Sequence, residues 1–168
     1  YYLYEDMIDF VYGLPVVARN RSDISSCGLE TTINYNLNNS LSFNFDYTYL
    51  RVNDINDLDP ILYRPEHKFG TGITQKKGKI SNNLSMRYQS SQKYQDFLSD
   101  DRDYQGGEIS FPIERLESLL LFNYIGSYEQ ENSKISLKVS NIFDVEYKLI
   151  QDYPMPGRLL SLIYEKSF

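Results

Sequence analysis

His67 is the single histidine in a chain of 168 residues, so any nucleophilic site built on serine or cysteine has one imidazole to draw on. It follows Arg64-Pro65-Glu66, a segment that opens a strand at its loop end. There a structural or interfacial imidazole is commoner than a general base. No catalytic residue is assigned, and the chain reads as a non-enzyme. Cys27 is the one cysteine, which allows neither an internal disulfide nor a cysteine metal cage. Asp100, Asp101 and Asp103, with Glu108 nearby, offer the oxygen ligands that Ca²⁺ takes. They lack the spacing and the glycine of an EF-hand loop, however, and read as a solvated acidic loop. No metal and no cofactor is expected. The long loop from Ser90 to Glu117 carries Tyr94, Phe97, Arg102 and Tyr104 among its acids, and these four are the candidates for touching a ligand. Rings with few rotatable bonds cover a large ligand at low entropic cost. The same rings could equally pack the loop onto its neighbours.

The elements that must position these residues have a period of two. Leu41, Phe43, Phe45, Tyr47 and Tyr49 share one face, and Ser42, Asn44, Asp46 and Thr48 the other. The pattern repeats in Leu29 to Leu37, Ile80 to Tyr88, Ile135 to Val139 and Leu160 to Tyr164, and more weakly in Tyr1 to Tyr12, Tyr63 to Gln75 and Glu117 to Tyr128. About eight strands result, longer than the roughly five or six residues of a soluble strand. Their links alternate in length. Tight polar turns follow Leu37, Gln75 and Tyr128, whereas Gly13 to Ser26, Val52 to Leu62, Gln92 to Glu117 and Glu146 to Gly157 read as long links. Short turns at one end and long loops at the other describe an up-and-down meander of the outer-membrane kind, with tyrosines toward the strand ends as an interfacial girdle. A soluble antiparallel sandwich alternates in the same way and stays open on periodicity alone.

Composition narrows the field. The 16 Tyr and 9 Phe cover too much apolar surface for a disordered chain. With 17 basic against 23 acidic residues, the net charge of -6 argues against nucleic acid as a partner. The longest purely apolar run, Leu119 to Phe122, is far below the roughly 18 residues of a membrane helix. Tyr1 begins a strand with no charged leader ahead of it, which reads as a mature chain or a fragment. Because lipid cannot bond backbone amides, a membrane sheet must close. Eight strands can close alone, as an anchoring or adhesive barrel, or form part of a larger one. The mostly small, polar inward positions suit a wide lumen.

The segment Asn141-Ile142-Phe143-Asp144-Val145-Glu146-Tyr147, then Tyr153-Pro154-Met155-Pro156-Gly157-Arg158 and a terminal Phe168, closely resembles the end of TonB-dependent outer-membrane receptors. In that family an N-[LI]-F-[DN]-x-x-Y segment closes the penultimate strand and Y-P-x-P-G-R opens the last. Leu62-Tyr63-Arg64-Pro65-Glu66-His67 likewise resembles the R-P-x-H segment of its cobalamin and catecholate-siderophore branches. The resemblance implies an all-β, antiparallel, transmembrane barrel in the cell outer membrane. Residues 1–168 would be the last eight of about twenty-two strands, without the plug domain. It implies uptake of a metal chelate, a ferric siderophore or a cobalamin. The implied partners are outer-membrane lipid, the TonB complex acting through the plug, and the barrel assembly machinery reading Phe168. Arg64, Pro65, His67, Asn141, Phe143, Asp144, Tyr147, Pro154, Pro156, Gly157 and Arg158 would be structural. Lys166 departs from the family, whose last strand is usually apolar there.

Overall fold

Alternating sequences satisfy their backbone amides by pairing with neighbours, and here each wall strand pairs with the next wall strand along the chain. The computed structural model describes residues 2–11, 17–54, 61–101, 103–105 and 108–167. In chain order the strands are β1 (Tyr2–Val11), β2 (Val17–Asn38), β3 (Leu41–Asp54), β4 (His67–Lys77), β5 (Ile80–Gln89), β6 (Gln92–Gln95), β7 (Asp103–Gln105), β8 (Glu108–Ser110), β9 (Ile113–Leu116), β10 (Leu119–Gln130), β11 (Ser133–Ser140), β12 (Lys148–Ile150), β13 (Tyr153–Pro154) and β14 (Leu159–Lys166). Eight of them form one antiparallel sheet in the order β1-β2-β3-β4-β5-β10-β11-β14. The others form three two-stranded ribbons in the loops.

All four long links read from the sequence are strand in part: residues 52–54 extend β3, the last link carries β12 paired with β13, and the other two depart further. Residues 17–26 continue β2, whose 22 residues extend to about 70 Å, far beyond the roughly nine to eleven that cross a bilayer. Its upper half lacks the alternation of Leu29 to Leu37, and pairing to β1 holds it in line. The link after β5 carries β6 paired with β9 and β7 paired with β8. The three turns β2–β3, β4–β5 and β10–β11 are two residues each. All the long connections leave from the opposite end.

The register aligns the apolar phases of neighbouring strands into rows. Tyr35, Phe43, Ile73, Leu84, Tyr124, Val139 and Leu160 form one. Thr32, Asp46, Gly70, Arg87 and Leu121 form a row of the other face. A one-residue slip would exchange the faces, so the phase fixes the register. Asn82 is a polar intruder on the apolar face. The Tyr124 hydroxyl donates to its Oδ1 at 2.7 Å, and the ring lies where a Cβ on Gly126 would stand, 2.8 Å from that hydroxyl. Glycine thus makes room for a ring that satisfies the amide.

The apolar face is uncovered: Leu160 is 70% and Leu162 77% exposed. Among the described residues only Ile24, Tyr94, Leu116, Leu119 and Leu121 are buried hydrophobics. A soluble sandwich would bury one whole face, so that alternative fails. No ladder joins β1 to β14 among the described residues, which leaves the sheet open rather than self-closed. If the apolar face meets lipid, Leu84→Lys in the complete protein lowers stability by about 2–4 kcal/mol, while the neighbouring Ser85→Lys changes it by about 0.5 kcal/mol or less. Urea midpoints in lipid vesicles measure both, and equal losses would reverse the assignment of faces.

Candidate functional site

The loops at the long-connection end meet in one assembly, and the last of them is tied down most tightly. At the end of β11 the chain turns at Asn141, which adopts φ 52°, a left-handed conformation that Asn tolerates better than most residues. Its side chain is only 3% exposed. Its Nδ2 donates to the Val145 carbonyl at 2.8 Å, its Oδ1 accepts from the Val145 amide at 2.9 Å, and its own amide donates to Asn123 Oδ1 at 3.0 Å. Asp144, at φ 56°, accepts from the Arg158 amide at 2.6 Å and lies 3.6 Å from the Arg158 guanidinium. A Cβ on Gly157 would stand 2.5 Å from Asp144 Oδ1, so only glycine leaves the carboxylate its place. Both motifs of the C-terminal segment therefore form one lock, which sets where β14 begins.

Phe143 packs edge-on to Phe122 at 5.3 Å, and the Ile142 amide donates to the Phe122 carbonyl at 2.9 Å. Tyr147 accepts the Met155 amide at 3.0 Å on its carbonyl. Pro154 lies in β13, opposite Lys148, and Pro156 in the exposed stretch before β14. The same lock brings the loop over Leu116 and Leu119, which line a cavity of about 830 Å³ with Val145, Tyr147 and Met155. The sequence reading placed mostly small polar residues on this inner face. The structure adds Leu119, Leu121 and Ile125 in the same phase as Asn123, the first two buried.

His67 opens β4 inside an aromatic cluster. Its ring stacks on Tyr49 at 5.2 Å and Tyr47 at 6.2 Å, and its Nδ1 shares a 2.9 Å hydrogen bond with the Tyr47 hydroxyl. Phe69 and Tyr88 stack beside it at 4.8 Å. Pro65 is buried and Arg64 exposed. Tyr63 holds φ 54° with its amide bonded to the Lys93 carbonyl at 2.8 Å. Burial raises its phenol above the usual range, Asp152 adds to the rise, and a hydrogen bond with the Gln151 backbone opposes it. One residue thus touches three loops.

The four ligand-loop candidates separate. Tyr94 is 5% exposed and donates to Glu114 Oε2 at 2.8 Å across the β6–β9 ribbon, which makes it a pin of the loop. Phe97 is exposed and packs edge-on to Phe111 at 5.3 Å. Tyr104 pairs with Ile109 in the β7–β8 ribbon. Arg102 and Phe168 lie outside the described residues. Sequence reasoning missed Gln92, which is 7% exposed and donates to the Leu149 carbonyl at 2.8 Å. A contact across 57 positions leaves no local signal. It also missed a cavity of about 580 Å³ that brings Arg64, Lys93 and Arg115 together with Asp54, Glu66 and His67. Among the described residues no three His, Cys, Asp or Glu side chains are placed to hold a metal ion.

Burial, then the bond to Glu114, pushes the Tyr94 phenol up to about 12. A raised phenol favours folding fully below its unfolded value near 10, and that contribution is lost as pH rises through about 12. Absorbance at about 295 nm should therefore match between wild type and Tyr94→Phe through the main tyrosine titration and differ only above it. A difference below that range would contradict the pinned phenol. Asn141→Ala, which strands both Val145 backbone groups, should cost about 1–3 kcal/mol and open residues 141–158 to protease. Unchanged cleavage would show that the lock does not hold the loop.

No family model and no curated protein matches the chain. Solved structures do. The chain is similar to a copper transporter, OprC, at 20% identity and TM-score 0.76, over 98% of this chain and 27% of that one. It is similar to the ferric-catecholate import receptor Fiu of E. coli K12 in its closed form at 19% identity and TM-score 0.71, over 98% and 24%. It also resembles the ferric enterobactin receptor PfeA of Pseudomonas aeruginosa at 17% identity and TM-score 0.70, over 99% and 27%. The chain spans about a quarter of the length of these proteins. Its fold is that of part of the barrel wall of TonB-dependent outer-membrane receptors.

Proposed function

We propose that residues 1–168 are the C-terminal part of the barrel of a TonB-dependent receptor in a Gram-negative outer membrane. The whole protein takes up a scarce metal chelate, a ferric siderophore or a cobalamin. The observation that carries the reading is the open eight-stranded sheet with one continuous apolar face, closed at its C-terminal end by the Asn141 and Asp144 lock. Such a wall is completed by further strands, and its inner face surrounds a plug or water. In this reading lipid covers the apolar face, Phe168 serves assembly, and the TonB complex acts on a plug contributed by another part of the protein. Nucleic acid has no place in it.

The chain's own contribution is passive but specific: wall, girdle and loops. The Arg64, Lys93 and Arg115 cavity suits the oxyanions of a metal chelate, since none of the three cations has an ion-pair partner among the described residues. Fiu is named for ferric catecholates and OprC for copper, which supports a metal-bearing cargo. Cells lacking the gene are expected to lose uptake of one member of a labelled panel of ferric siderophores, copper and cobalamin, and cells lacking TonB to lose the same one. Uptake of every member unchanged in both strains would refute the proposal.

A further inference from the structure

The short-turn rim carries an uneven charge. The β2–β3 turn is neutral, Asn39 and Ser40, and the β10–β11 turn is Glu131 and Asn132. The β4–β5 turn is Gly78 and Lys79, entered from Lys76 and Lys77 at the end of β4, with Gly78 at φ 57°, where a type II′ hairpin requires it. All three lysines are exposed, and none has an ion pair or side-chain hydrogen bond among the described residues. Their placement is set by the ladder. Lys77 pairs with Ile80, Ile80 with Tyr128, Tyr128 with Ile135 and Ile135 with Tyr164. Lys77 therefore ends the last row of the apolar face, whose other members are 44–62% exposed. One acid lies beside the turn: the Glu129 amide donates to the Lys79 carbonyl at 2.9 Å, but its carboxylate forms no ion pair with that lysine among the described residues. Glu129 belongs to the inner phase opposite Lys134, which is 3.8 Å from Glu165, and Glu131 sits in the next turn.

We propose that this turn holds an anionic phospholipid headgroup of the leaflet that borders the short-turn rim. It rests on the outer-membrane reading above and adds to it a preference among lipids. A lysine at the margin of an apolar belt buries its stem along the belt and keeps its ammonium at headgroup height. Three such cations over one two-residue turn present a phosphate with donors from both faces of the strand pair, while Ile80 and Tyr128 receive the acyl chains. Phosphate oxygens are the acceptors that unpaired ammonium groups lack here.

The test uses the complete protein purified from membranes in detergent, with phosphatidylglycerol and phosphatidylcholine of identical acyl chains, and native mass spectrometry to count retained lipid. Wild type and the Lys76→Arg, Lys77→Arg, Lys79→Arg variant should retain phosphatidylglycerol at least about fivefold better, the effect of one lysine near a charged surface. The corresponding triple glutamine variant should retain both lipids equally. If that variant fails to give a heat-modifiable folded band, Lys77→Gln alone is read, with the preference expected to fall by about half or more. Equal retention by wild type, or a preference that survives the glutamine substitutions, overturns the headgroup site while leaving the barrel intact. Retention of neither lipid likewise overturns the headgroup site, whereas a wild type with no heat-modifiable folded band in detergent would overturn the barrel reading.

Discussion

A backbone amide in hydrocarbon has no water to bond, at a cost of several kcal/mol, roughly, for each unpaired group. The architecture of the sheet accords with that constraint in the proposed outer-membrane setting. Six of the eight wall strands are paired on both sides, and only the outer edges of β1 and β14 lack a ladder among the described residues. The rule reaches side chains too. Asn82 stands on the apolar face only because the Tyr124 ring, folded over Gly126, brings it a hydroxyl. Strands this long, with one face so apolar and so bare, are what the same constraint would ask of a barrel wall.

The two ends of the sheet solve different problems. At the short-turn end, two-residue connections keep neighbouring strands in phase with little freedom. At the other end the loops must find partners far away in sequence, and they do so through buried or half-buried polar groups. Asn141 imitates a strand partner for Val145, Gln92 reaches the Leu149 carbonyl, and Tyr63 joins Lys93 and Gln151. Each bond is modest, about 1 kcal/mol net, but a buried donor left alone costs more, so the set holds cooperatively. The result is a rim whose cavities are shaped by polar pins more than by an apolar core.

What the sequence disclosed followed from periodicity. The phase of Leu41 to Tyr49 agrees with every ladder the sheet makes, because alternation and register are one constraint seen twice. His67, read as structural or interfacial from its place at a strand opening, stands at the start of β4 against Tyr47 and Tyr49. The upper half of β2 escaped, because Arg19, Asn20, Arg21 and Asp23 carry no apolar stripe and their strand state comes from β1. Tyr94 was ranked with ligand contacts, yet its partner Glu114 is 20 residues away and visible only in three dimensions. Nor could the spacing of Asp144 and Gly157 reveal that one residue makes room for the other.

The alternation of turn lengths has an evolutionary consequence. Lengthening a two-residue turn by one residue shifts every row beside it, so that rim resists insertion. The opposite rim carries long loops, held at a few polar pins and at Arg158, whose length does not alter the wall register. Variation can therefore accumulate in those loops while the wall keeps its register. Identities of 17%, 19% and 20% beside TM-scores of 0.70, 0.71 and 0.76 accord with a wall kept in shape more than in sequence.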